Sequence, residues 1–269
     1  MGERLSPDRI RRHLDARWLG RELHCHDRVD STNLVARELA RSGTAHGTVV
    51  SAESQSQGRG RLGRSWVSPA HKNLYLSIIL RCDLPADRLP QIGLLAGVAA
   101  CDTIREWQPA ALKWPNDVLI AGRKVCGILA ETEGGSDAPI VILGIGINVN
   151  AEENDFPEEL RRKASSLRLA GGGPIDRARV AGRLLTHLET WYDTWAQRGF
   201  APVATAWRGR SGLVGQMIHV AEPGKELAGR VVGLDEDGAL RIRLTNGDEH
   251  RVVAGDVTVV GGYEMKAES

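Results

Sequence analysis

Residues 112–147 read LKWPNDVLIAGRKVCGILAETEGGSDAPIVILGIGI. Apolar runs near Leu112–Trp114, Val118–Ala121, Lys124–Glu131 and Ile140–Ile147 are separated only by short turns, with Ala121-Gly122-Arg123 suited to a hairpin and Glu133-Gly134-Gly135-Ser136-Asp137 to a looser connection. Strands so close together leave no room for crossover helices, so neighbouring pairs are expected to be antiparallel. That selects an α+β fold over a doubly wound parallel sheet.

Working outward toward the N-terminus, Gln91–Trp107 carries Ile92, Leu95, Val98, Ala99 and Ile104 at helical spacing. Leu74–Leu80 reads as a well-buried strand and Thr48–Ala52 as another. Asp30-Ser31-Thr32-Asn33 precedes a helical pattern through Leu34, Ala36, Leu39 and Ala40, and a basic helix is expected from Pro7 to about Leu19. Toward the C-terminus, helices are expected over Ile175–Gln197 and Ala201–Trp207. Beyond Ser211-Gly212 the texture changes to short β patterns broken by Glu-Pro-Gly, Asp-Glu-Asp-Gly and Asn-Gly-Asp turns. Four to five strands fit there, the size of a small barrel. The reading therefore divides the chain into residues 1–210 and 211–269.

A length of 269 residues, with 42% hydrophobic and 26% charged residues, fits a folded chain of about two domains and excludes disordered and collagen-like classes. Lys and Arg total 35 against 34 Asp and Glu, a net charge of +1, so no global field holds a polyanion. The four cysteines form no CxxC pair, and His24-Cys25-His26 offers two ligands on one face with no third, so neither a zinc site nor a disulfide framework is expected. No signal peptide or membrane span is legible, which suggests a cytoplasmic protein.

Gln55-Ser56-Gln57-Gly58-Arg59-Gly60-Arg61-Leu62-Gly63-Arg64-Ser65-Trp66 alternates glycines with arginines and contains no acid. Backbone N–H groups and guanidinium forks can gather round phosphate oxygens here, and Trp66 offers a stacking face. A solvated basic loop, or one tracking nucleic acid, accounts for the same residues. Lys113-Trp114-Pro115-Asn116-Asp117 is either a hairpin turn or a nucleotide-and-metal contact set, Asp117 being a hard oxygen donor. Lys124 heads an apolar strand and either points to water or holds a carboxylate or phosphate. Gly144 and Gly146, in Gly144-Ile145-Gly146-Ile147-Asn148-Val149-Asn150, mark a close approach to the backbone or a bulge.

Taken in order, Asp30-Ser31-Thr32-Asn33, GRGRLGRSW from Gly58, KWPNDV from Lys113, RKVCGILAE from Arg123 and GIGINVN from Gly144 make the chain resemble the biotin protein ligases, over nearly its whole length. The resemblance implies the mixed or antiparallel sheet of the class II aminoacyl-tRNA synthetases, followed by a small SH3-like barrel. It implies that biotin and MgATP form biotinyl-5′-AMP, from which a lysine of a biotin carboxyl carrier domain takes the biotinyl group. It places Ser31, Thr32, Asn33, Gln55, Gly58, Arg59, Arg61 and Lys124 at biotin, and Arg59, Arg61, Arg64, Trp66, Lys113, Asn116 and Asn148 at the nucleotide. Lys124, Arg59 and Arg61 would be the catalytic charges, with Asp117 near Mg²⁺. The arginine-glycine loop would order over the adenylate and be poorly ordered without ligand.

Only 30 residues precede Ser31, too few for the winged-helix DNA-binding domain of the regulatory relatives, so no operator binding or other nucleic-acid role is expected. A monomer or a weak, ligand-linked homodimer is expected, with no membrane partner. A lipoate or octanoate ligase of the same fold, a nucleic-acid-binding module and an interaction protein are the alternatives.

Overall fold

The computed structural model describes residues 3–82, 88–133, 139–222 and 225–260. The turn expected over 133–137, most of the Glu-Pro-Gly turn and the last residues of the 211–269 segment lie outside them. The stretch that decided the fold class forms β4 (Ala111–Lys113), β5 (Asp117–Ile120), β6 (Arg123–Glu133) and β7 (Ile140–Ile147), each antiparallel to the next. The β5–β6 hairpin closes through Ala121 and Gly122 at φ 46° and 75°, the left-handed pair that a two-residue turn requires.

β3 (Leu74–Arg81) runs antiparallel to β7, and β2 (Val49–Gln55) antiparallel to β3. β1 (Leu23–Val29) lies parallel to β2, with α2 (Thr32–Arg41) as the crossover. The seven-stranded order is β1-β2-β3-β7-β6-β5-β4, a mixed sheet. β1 escaped the sequence reading because it is an edge strand whose residues are mostly half-buried or exposed, leaving no clean alternation.

The period of two decides where the site is built. Leu74, Leu76, Ile78 and Leu80 of β3, with Val141, Leu143, Ile145 and Ile147 of β7, face a large apolar cluster. α3 (Leu89–Arg105), α6 (Arg177–Arg198) and α7 (Ala201–Arg210) supply much of the rest of that cluster. The alternate positions face the other way, where α2 covers Val50, Ile79 and Ile142 with Ala36 and Ala40. Ser77, Gly144 and Gly146 share that second face by the same alternation.

The N-terminal helix α1 (Pro7–Arg11) is shorter than expected. The chain beyond it is instead recruited by the buried Glu189 of α6, whose carboxylate accepts the backbone N–H groups of Arg17, Trp18 and Leu19 at 2.7, 2.9 and 2.8 Å. Upstream, Leu5 N–H donates to Glu53 of β2 at 2.6 Å, and Arg177 donates to Glu53 at 2.7 Å and to the Glu3 carbonyl at 2.6 Å. Residues 3–20 thus form a strap between α6 and the sheet.

Two short helices, α4 (Glu158–Arg161) and α5 (Leu167–Gly171), lead from β7 to α6. After α7, β8 (Met217–Glu222), β9 (Lys225–Leu234), β10 (Leu240–Leu244), β11 (Glu249–Val252) and β12 (Asp256–Val259) pair antiparallel in the order β11-β10-β9-β8-β12. This is the small SH3-like unit. Its Ile218, Val220, Val231, Leu240, Ile242 and Val257 belong to the same apolar cluster as α3 and α6, and Trp114 Nε1 donates to the Gly238 carbonyl at 3.2 Å. No helix among the described residues is long and apolar enough to cross a membrane.

Candidate active site

On the second face of the large sheet, Gly127 of β6 pairs in register with Gly146 of β7. A Cβ added at either would come within 2.7 and 2.6 Å of the Trp66 indole, so the two glycines form a slot in which that ring lies. Gly144 makes the same allowance for Asn33, whose Oδ1 would sit 2.4 Å from an added Cβ. Both registers run without interruption through these positions, so close approach, and not a bulge, explains the glycines.

The arginine-glycine loop folds back over this slot. Trp66 N–H donates to the Gly58 carbonyl at 2.8 Å and Gly60 N–H to the Arg64 carbonyl at 2.7 Å, while Leu62 takes φ 55° at the tip. Gly58 has no room for a side chain, an added Cβ meeting the Trp66 carbonyl oxygen at 2.3 Å. Together, Ser31, Thr32, Asn33, Gln55, Arg59, Arg61, Trp66, Asn116 and Lys124 line one pocket over Gly127, Gly144 and Gly146.

One end of the pocket is polar and uncharged. Thr32 N–H donates to Gln55 Oε1 at 2.9 Å, and Gln55 Nε2 donates to Ser68 Oγ at 2.9 Å. The Ser77 hydroxyl lies 2.8 Å from Thr32 Oγ1 and 2.6 Å from Asn33 Oδ1, and Asn33 Nδ2 donates to Glu131 at 2.8 Å. Ser31, Thr32, Asn33 and Ser77 are all buried, so these bonds are made without competition from water. Ser31 does not cap α2 with its side chain, which leaves its hydroxyl for the pocket.

The other end is cationic. Lys124 Nζ sits 2.6 Å from Asp117 Oδ1 and 5.4 Å from the Trp66 ring centroid. Lys113, paired with Asp117 across the β4–β5 hairpin, has its ammonium pushed down by burial, with Asp117 opposing and Lys124 adding to the effect. Burial likewise lowers the half-buried Arg61 guanidinium, whose Nη1 reaches Asn116 Oδ1 at 3.5 Å. Asn116 also donates to the Ile128 carbonyl at 2.7 Å, tying the Pro-Asn-Asp turn to β6. The arrangement offers a neutral recognition end, a flat aromatic wall and a cluster of cations, which suits a ligand with a polar head and an anionic tail.

Five expected residues, Gly58, Arg64, Lys113, Asp117 and Asn148, do not line this pocket. Arg64 is engaged with Asp256 of β12, and Arg59, half-exposed, approaches Glu131 at 3.7 Å while still lining the pocket. Asn148 is buried in structural bonds, donating to the Ser165 carbonyl at 3.0 Å and accepting from Asn73 at 3.3 Å. Lys113 contributes charge through Asp117 and does not line the pocket. Asp117, the expected metal ligand, is the counter-ion of Lys124, and no group of three His, Cys, Asp or Glu side chains able to hold a metal occurs among the described residues.

Ser68, Ser77 and Glu131 were not singled out as site residues. A serine in the apolar run Leu74–Leu80 was a legible signal for Ser77; nothing local marks Ser68.

Residues 25–148 match the model of the Biotin/lipoate A/B protein ligase family, and residues 213–260 that of the Biotin protein ligase C terminal domain. The Bifunctional ligase/repressor BirA of Bacillus subtilis is 38% identical over 91% of this chain and 76% of its own length. A Biotin--[acetyl-CoA-carboxylase] ligase of Mycobacterium tuberculosis is 36% identical over 95% of this chain and 97% of its own. Among solved structures, the biotin protein ligase of Aquifex aeolicus in complex with biotin and ATP superposes with a TM-score of 0.75 at 30% identity. That alignment covers 89% of this chain and 99% of that one.

Proposed function

The chain belongs to the biotin protein ligase family, and from that premise we propose that it joins biotin to a lysine of a biotin carboxyl carrier domain, using ATP and passing through biotinyl-5′-AMP. The observation that carries this reading is the single pocket with Thr32 and Gln55 at one end and Lys124 and Arg61 at the other, walled by Trp66. Biotin has a matching form, an uncharged cyclic urea at one end and a carboxylate at the other.

In the first step a biotin carboxylate oxygen attacks the α-phosphorus of MgATP, and the bond to the bridging oxygen breaks to release pyrophosphate. Two anions must be brought together, so positioning and positive charge do the work and no protein nucleophile is needed. On this reading Lys124, held by Asp117, bridges the carboxylate and the α-phosphate. Arg59 and Arg61 neutralise the phosphates, and the loop that bears them shields the mixed anhydride from water. In the second step the amine of the carrier lysine attacks the acyl carbonyl, loses a proton and displaces AMP.

We assign Arg64, Lys113, Asn116 and Asn148 to the nucleotide region and Asp117 to the approach of Mg²⁺. The 1–210 and 211–269 segments are the catalytic unit and its companion barrel, and the net charge of +1 supports a partner other than nucleic acid. A reducing, cytoplasmic setting suits the four free thiols, and the assembly we assign is a monomer or a weak homodimer linked to ligand.

ATP–pyrophosphate exchange by the purified chain, with biotin, lipoate and octanoate tested separately, decides the substrate. Exchange with biotin alone is expected; exchange only with lipoate or octanoate would move the chain to the sister activity. In the same assay Lys124→Ala lowers adenylation roughly 10²- to 10³-fold, the usual cost of removing one preorganised charge. Normal single-turnover adenylation with impaired transfer would overturn its role.

A further inference from the structure

The polar end of the pocket is one chain of hydrogen bonds, and its direction is fixed from a residue outside the set named for the ligand. Glu131 of β6 is flanked by the guanidinium groups of Arg37 and Arg59, at 3.5 and 3.7 Å, and its carboxylate is an acceptor only. At 2.8 Å it must receive Asn33 Nδ2, which turns Asn33 Oδ1 toward Ser77. That oxygen can only accept, so the single Ser77 proton is committed to it. The Ser77 and Thr32 hydroxyl oxygens are 2.8 Å apart, and a contact so short needs a proton between them. With Ser77 already committed, the proton is that of Thr32.

The other side of the pocket agrees. Gln55 Nε2 donates to Ser68 Oγ, whose proton goes to the Trp66 carbonyl at 3.0 Å. Gln55 Oε1 then accepts Thr32 N–H at 2.9 Å and, on its second lone pair, offers the Thr32 hydroxyl an alternative acceptor at 3.1 Å, so in either arrangement the Thr32 proton stays bonded within the protein. Thr32 Oγ1 thus faces the pocket with lone pairs only.

We propose that Glu131 is a specificity-determining positioning residue: through Asn33 and Ser77 it holds the Thr32 hydroxyl as an obligate acceptor, so that the pocket selects a ring bearing an N–H donor. This rests on the proposed biotin reading and deepens it. The cyclic urea of biotin carries two such N–H groups, whereas the dithiolane ring of lipoate carries none. Glu131 makes this choice from a distance, since its oxygens bond Asn33 and not the ligand. The slot provided by Gly144 keeps the chain intact, because a side chain there would push Asn33 off both of its partners.

Glu131→Gln keeps the shape but removes the constraint. A glutamine amide can donate as well as accept, so the whole chain can reverse and present a hydroxyl proton to the ligand. The test is ATP–pyrophosphate exchange with biotin and with two analogues in which one or the other ureido N–H is replaced by a ring oxygen. In the variant the biotin KM is expected to rise roughly tenfold to a hundredfold, the scale of one buried hydrogen bond left unmade, with the ATP KM within about twofold. The wild-type preference for biotin over at least one oxygen analogue is expected to shrink by a similar factor. Ser77→Ala breaks the chain at its middle and carries the same expectation, so a misfolded Glu131 variant leaves a second to decide. Unchanged biotin KM and unchanged discrimination in folded variants would overturn the inference alone. Absence of exchange with biotin in the wild type would overturn the functional reading and the inference together.

Discussion

A missing side chain can be as much part of a site as a present one. Gly127 and Gly146 were legible as a signal only in part: the glycines of β7 stood out in an apolar strand, but the partner on β6, 19 residues earlier, is paired with Gly146 only by register. Sequence spacing cannot supply a register across a connection of unknown length. Gly146→Ala places a methyl carbon 2.6 Å from the Trp66 indole, closer than carbon atoms pack, and the ring must leave its slot. Biotin KM is expected to rise about tenfold or more, from overpacking of ~1–3 kcal/mol, with the fold retained by circular dichroism. Unchanged exchange kinetics would show that the ring has no part in the pocket's shape. Lys124 and Arg61 stand out in the sequence because their charges advertise chemistry, Thr32 only through the family resemblance; Ser77 is marked by its apolar surroundings, whereas nothing local distinguishes Ser68.

At the scale of elements, β2 carries two different cargoes. Gln55, at its end, lines the pocket, and Glu53 is buried in an ion pair with Arg177 of α6. Burial alone would raise the Glu53 carboxyl, but the Arg177 hydrogen bond, the Leu5 N–H and the charges of Arg177 and His71 outweigh it and hold it below the usual value of 4.5. A carboxyl depressed in the folded state stabilises the fold above about pH 4.5, and that contribution disappears as pH falls through the depressed value. Denaturant titrations from pH 7 to 3 should therefore show stability falling below about 4.5, with Glu53→Gln less stable at pH 7 and its acid limb flatter. At neutral pH the variant strands Arg177, at a cost of ~3–5 kcal/mol; an acid limb identical to wild type would remove Glu53 from the account. The strands from β4 to β7 were legible because short turns leave antiparallel pairing as the sole option. The N-terminal helix is shorter than expected because helical periodicity says nothing of a glutamate 170 to 172 residues away that takes up the backbone of Arg17–Leu19.

For the whole molecule, the change of texture at Ser211 pointed to a second unit, and the first strand of the five-stranded sheet starts at Met217. What composition could not convey is that the two sheets share one apolar cluster, joined through α3 and by Trp114 to Gly238. Cooperativity follows the contacts and not the texture. Calorimetry is expected to give a single transition whose calorimetric and van't Hoff enthalpies agree, whereas two resolved transitions would show that the barrel melts by itself. The strap along α6 has a mechanical meaning as well. A pull on the first residues is transmitted through Leu5 to Glu53, two positions from Gln55 on the same strand. Any body tethered at that end, whether a regulatory module or a laboratory tag, hangs its load on the strand that carries Gln55.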